Sequence, residues 1–542
     1  MGRHEVRVGF DFIRYQLNHW QPELGDGPRG AFNFSGNITG QPGYTSNLWN
    51  QYAAFLLGQD SGYGKSVQFE TMTGRENQYA TFISDRWNVS SKMTVNAGLR
   101  YEYYPLMTRE HHGLERLDYA TWNVLIGGLG NVPEDVGIKV SKTLFAPRLG
   151  LAYRINEKTV FRTGYGLTYD PIPWSRPLRL SYPSTIGFSQ TAAATVPGGS
   201  NFSSFPLANG IPNIPLPDIS SGVIPMPRNV DTRIPNPNEV DRGRSQQWNV
   251  TVERQLPMDV SVSLAYVGTR TDGGYADINL NYAEAGGGDA GRKFFTQAGT
   301  AQVLDWAGRT KRRYNALQSA INRPFKNGLL LKGAYTWSKA MDETDDDGWV
   351  TLDWSQPSQM SRNYALAGYD RTHNLSMGFL YDLPFAKDGT GPLAAIVQNW
   401  QVNGVYQIYS GTPFSINGDN TALNQRQGRQ TIQQVAEIRQ VGPAGPNAVY
   451  YDPASFAQPG NQWGNTGRNF LRGPSNYNLD LGIFRGFPIG RYRAEFRMQA
   501  SNVLNHVRWG NPVTGFTDPN FMKIRAINGD PRRIQLGVRF QF

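Results

Sequence analysis

From Met93 to Tyr103 the chain alternates with a period of two: Met93, Val95, Ala97, Leu99, Tyr101 and Tyr103 are apolar or aromatic, and the residues between them are polar or glycine. Successive side chains of a β-strand point to opposite sides, so this pattern predicts a strand with one apolar and one polar face. Similar alternation predicts strands at Thr159 to Tyr169, Val260 to Gly268, Leu329 to Trp337, Leu375 to Tyr381, Tyr477 to Ile483, Tyr492 to Ala500 and Ile534 to Phe542, with a first strand near Val6 to Tyr15. About sixteen segments have the roughly ten-residue alternating form of a strand that crosses a bilayer.

The predicted connections alternate in length. Short turns fall at Asn88 to Lys92, Asn156 to Lys158, Leu256 to Asp259, Phe325 to Gly328 and Gly490. Long segments lie between them, at 105–143, 171–244, 272–313, 342–372, 415–475 and 505–531. Membrane barrels have short periplasmic turns and long extracellular loops, so the long segments are expected outside the cell. Two stretches fit less well: Phe385 to Asn399 is long for a turn, and Ser46 to Gln59 reads as a helix with Leu48, Tyr52, Phe55 and Leu56 on one face. The 171–244 segment is rich in proline, including Pro171, Pro173, Pro206, Pro212, Pro215, Pro225, Pro235 and Pro237, which favours extended backbone. Aromatics gather at strand ends, as in Tyr101, Tyr103 and Tyr104, or Tyr335 and Trp337, the places a membrane girdle would occupy.

Composition agrees with many strands and many turns: 542 residues include 60 Gly, 27 Tyr, 27 Phe and 13 Trp. Mean hydropathy is -0.49, and no run approaches the roughly 20 apolar residues of a spanning helix, which excludes a helical membrane protein. A barrel escapes that test because only every second residue meets lipid. The net charge of +10 is dispersed, with no basic cluster or zinc spacing, so nucleic acid is not an expected partner. Cysteine is absent, which removes disulfides, thiol catalysis and Cys-ligated metals together. From Met1 to Val8 no basic stretch leads into an apolar one, so no secretory signal is visible there.

Several stretches, taken in order, resemble the Oar-like TonB-dependent outer-membrane barrels. They are Tyr52 to Gly58, Ser245 to Val250 with Tyr266 to Gly268, Tyr314 to Gln318 with Tyr335 to Lys339, Ser410 to Phe414, Gly464 to Asn469 with Leu471 to Pro474, and Asn502 to His506. The resemblance covers nearly the whole chain. It implies a barrel of about 22 strands closed by an N-terminal plug. It also implies a short TonB box that engages the inner-membrane energy-transducing complex. The sequence departs from that plan, having about sixteen strands and no TonB box or plug. The expectation is therefore that residues 1–542 form one barrel domain, part of a larger barrel whose signal, plug and first strands lie upstream. Any TonB contact would run through that upstream part.

If odd residues of 93–103 face lipid, Arg100 and Glu102 face the interior, and the same parity sends Arg148, Arg154, Arg162, Arg493, Glu495, Arg497 and Arg539 inward. Such a wall would attract anionic solutes or a charged plug surface, or would be solvated without a specific ligand. The chain ends with apolar Val538, Phe540 and Phe542 at every second position, an expected signal to the barrel-assembly machinery. Glu343, Asp345, Asp346, Asp347 and Gly348 resemble the start of a calcium loop, so Asp345 and Asp347 are weak calcium candidates. The twelfth position is Trp354, however, where a bidentate Glu is needed. His111, His112 and Glu115 lack a further spaced ligand. No nucleophile elbow, P-loop or dinucleotide fingerprint is present, so neither catalysis nor a cofactor is expected. The sequence thus predicts a transmembrane antiparallel β-barrel in the outer membrane of a Gram-negative bacterium, in contact with outer-membrane lipid. Its loops would capture an unknown extracellular ligand that passes through the lumen. The alternatives are a passive porin of about sixteen strands and a structural or adhesive surface protein.

Overall fold

The computed structural model describes all residues except 1–2, 20–28, 37–38, 41–46, 69–71, 175–186, 190–206, 212, 214–215, 239, 241, 347–349 and 386–388. Pro206, Pro212, Pro215, Asp347 and Gly348 of the sequence reading lie outside the described residues. One sheet of sixteen strands dominates. Its continuous path follows chain order: β1 (His4–His19), β2 (Met72–Asn88), β3 (Met93–Tyr103), β4 (Leu144–Asn156), β5 (Thr159–Tyr169), β6 (Arg244–Gln255) and β7 (Ser261–Asn279). It continues with β8 (Val303–Lys326), β9 (Leu329–Asp342), β10 (His373–Asp382), β11 (Trp400–Tyr409), β12 (Asn476–Ile489), β13 (Tyr492–Ser501) and β14 (Arg533–Gln541). Every step on the path is antiparallel. The expected number of about sixteen is met by the whole sheet, two of whose members lie off this path: Thr232–Pro235 runs parallel to the start of β8, and Ala365–Leu366 pairs with the end of β9. Among the described residues no ladder joins β1 to β14.

Residues directly opposite one another in an antiparallel pair share a face, so register carries parity across the sheet. Arg100 stands between Phe82 and Ala146, Arg148 between Gly98 and Gly166, and Arg162 between Ala152 and Thr251. Followed to β14, this face holds Asn249, Gln318, Asn403 and Arg497. The opposite face holds Leu99, Leu149, Val250, Leu317, Val402 and Phe496. One face is thus mainly polar and the other mainly apolar, except that at the loop ends of β7 to β9 the second face turns charged with Arg270, Asp272, Lys311, Arg313 and Lys339.

The turns at one edge are tight, apart from the 383–399 connection. Between β8 and β9 only Asn327 and Gly328 intervene, with φ of 51° and 78°. That is the left-handed pair of a type I′ hairpin, whose twist matches the strands, and Asn-Gly tolerates it best. The other edge carries the long connections. The segment expected as a loop at 272–313 is a correction: β7 runs on to Asn279 and β8 begins at Val303, so the connection is 280–302. Past the irregular register at Asp272 to Tyr275 the hairpin continues with Tyr275, Ala276 and Asp277 all buried, and alternation vanishes where both faces are covered. Tyr104, read as part of the girdle, is also a correction. It is buried beneath Arg242, whose guanidinium lies 4.5 Å from its ring.

Helix α1 (Leu48–Leu56) is shorter than the expected 46–59. Asn47 sets its start: the side-chain oxygen accepts from the N–H groups of Trp49 and Asn50 at 3.0 and 3.1 Å, and Asn50 answers with a contact to the Asn47 N–H. This reciprocal cap satisfies donors a helix start leaves orphaned. A further short helix, Pro392–Val397, occupies the connection that was too long for a turn.

Most of the buried apolar matter lies in the long connections and at the loop ends of β7 and β8. Met107, Leu114, Val136, Trp174, Val240, Tyr275 and Trp306 form one cluster, Leu117, Val124, Ile126, Ile224, Ile234 and Val303 a second, and Phe414, Ile416, Ile432, Phe456, Leu471 and Met522 a third. The long connections are therefore a packed layer on one edge of the sheet.

Candidate functional site

The charges predicted for the interior all occupy the polar face by register, and the structure groups them. Arg100 donates to Glu102 at 2.7 Å and to Asp11 of β1 at 2.5 Å. Arg162 reaches Glu253 at 2.6 Å, and Arg497 bonds Glu495, which stands opposite Arg539. Arg148 lines a groove of roughly 440 Å³ with Arg7, Arg86 and Glu5, over Gly98 and Gly150. Arg493 and Arg154 stand at the short-turn end of their strands. Sequence reasoning missed Glu5, Asp11, Glu253, Asp382 and Asp480, which share this face. Their parity was legible, but they lay in strands whose phase was not assigned. With them the wall is more nearly balanced in charge than the arginines alone suggest.

Val538, Phe540 and Phe542 line the apolar side of the last strand, each well exposed, and Phe542 meets the Tyr492 ring edge-on at 5.9 Å.

At the loop edge the polar face runs into buried ion pairs. Glu76, at the loop end of β2, is 1% exposed and takes Arg242 from the far end of the 170–243 connection at 2.8 Å. Its second oxygen accepts the Trp174 N–H at 2.7 Å. Arg109 grips both oxygens of Glu115 at 2.8 to 3.0 Å, Arg233 pairs with Asp277 at 3.0 Å, and Arg472 with Asp370 at 2.6 Å. Carboxylates removed from water in this way need such partners. Tyr119 donates to Asp305 at 3.2 Å, and burial lifts its phenol above the usual range.

The long connections also form a cavity of roughly 640 Å³ lined by Glu343, Thr344, Asp345, Asp346, Asp353, Arg429 and Arg468. Arg429 pairs with Asp353 at 3.1 Å, and Arg468 bonds Asp342 and stands 3.6 Å from Asp345. Asp345, the described half of the calcium pair, also accepts the Gly368 N–H at 2.7 Å, so a guanidinium and an amide occupy it. Burial raises the Glu343 carboxyl above its ordinary range, against the Lys311 N–H that it accepts at 2.7 Å. His112 is turned to the Gly113 carbonyl at 2.7 Å while Glu115 is held by Arg109. Among the described residues no group of three or more His, Asp or Glu is placed to hold a metal ion. The arrangement can hold a polar ligand by hydrogen bonds and charge.

Residues 1–535 match a family model described as an outer membrane beta barrel domain. No curated protein matches the sequence. Among solved structures the chain is similar to the outer membrane transporter YddB from Escherichia coli, at 9% identity and a TM-score of 0.45, with 88% of this chain and 49% of that chain covered. It is similar to the pyoverdine outer membrane receptor FpvA from Pseudomonas aeruginosa PAO1, at 11% identity and a TM-score of 0.42, covering 88% and 43%. It is similar also to the ferric-catecholate import receptor Fiu from E. coli K12, at 11% identity and a TM-score of 0.40, covering 99% and 51%. The chain spans about half or less of the length of these three proteins.

Proposed function

Because this chain belongs to the family of outer membrane β-barrel domains, and is thus a protein of the Gram-negative outer membrane, we propose that it is the wall and loop layer of a TonB-dependent receptor that imports a small polar ligand. The observation that carries this reading is the asymmetry of the molecule. One edge of the sheet carries the short turns and the 383–399 connection, while the other bears a packed layer holding a polar cavity, and the polar face runs from the loop edge to the turn edge. A ligand caught among Glu343, Asp345, Asp353, Arg429 and Arg468 would leave along that face, which is then the lumen. In this reading Val538, Phe540 and Phe542 address the barrel-assembly machinery.

The reading is tested by comparing solutes left in defined medium by three strains: wild type, one lacking this gene and one lacking TonB. The expected result is the same solute accumulating in both mutants. Depletion that needs the gene but not TonB would overturn the receptor in favour of a passive porin, and identical media would leave a structural or adhesive role.

A further inference from the structure

We propose that the apolar face of β6 to β9, at its loop end, holds the phosphate-bearing headgroup of a membrane lipid. Register lays out this face in rows. Tyr266, Leu317 and Trp337 stand side by side on β7, β8 and β9. One step nearer the loops the row is Trp248, Gly268, Asn315 and Lys339, with the indole of Trp248 lying across Gly268, where an added Cβ would meet it at 2.3 Å. Next come Arg270 opposite Arg313, and then Arg244, Asp272 and Lys311. Apolar rings give way to cations within two steps, each roughly 7 Å along a strand.

A groove of roughly 580 Å³ lies at this change, lined by Tyr266, Leu317, Trp337, Lys339, Leu366 and Arg472. Trp337 is 55% exposed, although it is one of the largest apolar side chains. Asp272 holds both Arg270 and Arg313 at 2.7 Å, and Arg472 is held by Asp370. Arg244, Lys311 and Lys339 have no salt-bridged carboxylate among the described residues. In an outer-membrane barrel this face meets acyl chains, and aromatic rows mark the level where chains end and headgroups begin. A lipid fits both halves: its chain lies against Leu317 and Trp337, its phosphate accepts a charge-assisted hydrogen bond from Lys339, and Lys311 and Arg244, two steps nearer the loops, add longer-range attraction for the anion. A soluble anion would gain nothing from the apolar half. This inference rests on the membrane face and not on import.

The test uses the full-length protein in vesicles of brominated phosphatidylcholine, with and without brominated phosphatidylglycerol, reading bromine quenching of tryptophan. A Trp337→Phe variant isolates the signal of Trp337. The expected result is enrichment of the anionic lipid at Trp337, about fivefold for each cation engaged. The enrichment should fall with added salt and be lost in a variant carrying Arg244→Ala, Lys311→Ala and Lys339→Ala. Equal quenching by the two lipids, or a preference that salt does not weaken, overturns the proposal whether or not the triple variant folds. So does a preference that survives in a folded triple variant.

Discussion

Arg242 shows how a single side chain ties loop to strand. It spans from the last residues of the 170–243 connection to Glu76 on β2, covers Tyr104 and lies 5.8 Å from the Trp174 ring, all in nearly complete burial. Arg242→Ala would leave Glu76 buried and charged without its counter-ion, held only by neutral donors such as the Trp174 N–H, a loss of about 3 to 5 kcal/mol. Arg162 makes a comparable hydrogen bond to Glu253, but the two are 54% and 41% exposed, and Arg162→Ala is expected to cost less than about 1 kcal/mol. Denaturant unfolding of the two variants in one detergent measures both, and equal losses would contradict the buried bridge. Glu343 gives a pH dependence. Its folded pKa is raised by burial, so the folded chain holds this proton more tightly than the unfolded one. The stability it contributes is full below the ordinary carboxylate value of about 4.3 and is lost as pH rises through the raised value. Glu343→Gln should flatten that fall in an unfolding series against pH. An unchanged slope would show that Glu343 is not the group responsible.

At the scale of elements, what was legible depended on how each strand is solvated. The strand β3 was bounded correctly from Met93 to Tyr103 because one face is apolar and the other polar over its whole length, and α1 was found from its apolar stripe. The far halves of β7 and β8 were not, because Tyr275, Ala276, Asp277 and, across from them, Trp306 and Ala307 are buried together and leave no alternation to read. The loop clusters were hidden for another reason. Trp174, Val240 and Trp306 meet only in three dimensions, and a spacing that long carries no period. The candidate charges were legible by parity within a strand, but the pairing of Arg100 with Asp11 depends on register between strands. The alternation of short and long connections, by contrast, was read directly, though 272–313 was drawn too long, and it predicts sidedness. Since the chain has no cysteine, single cysteines can be placed in the turn between Gln255 and Ser261 and in the 410–475 connection. An impermeant maleimide on intact cells should label the second and reach the first only after lysis. Labelling of the turn in sealed cells would reverse the orientation.

For the whole molecule, the central claim is that one sheet separates lipid from a polar interior, with Leu99, Val250 and Phe496 on one side and Arg100, Thr251 and Arg497 on the other. Family membership agrees with it, as does a mean hydropathy too low for spanning helices. The most direct measurement is a nitroxide scan along β3 in reconstituted membranes, recording at each residue the access of oxygen, which partitions into lipid, and of a water-soluble nickel complex. The account predicts that Val95, Ala97, Leu99 and Tyr101 favour oxygen, that Asn96, Gly98 and Arg100 favour nickel, and that the two signals alternate with a period of two. Equal access on both faces, or water reaching the odd positions, would contradict it.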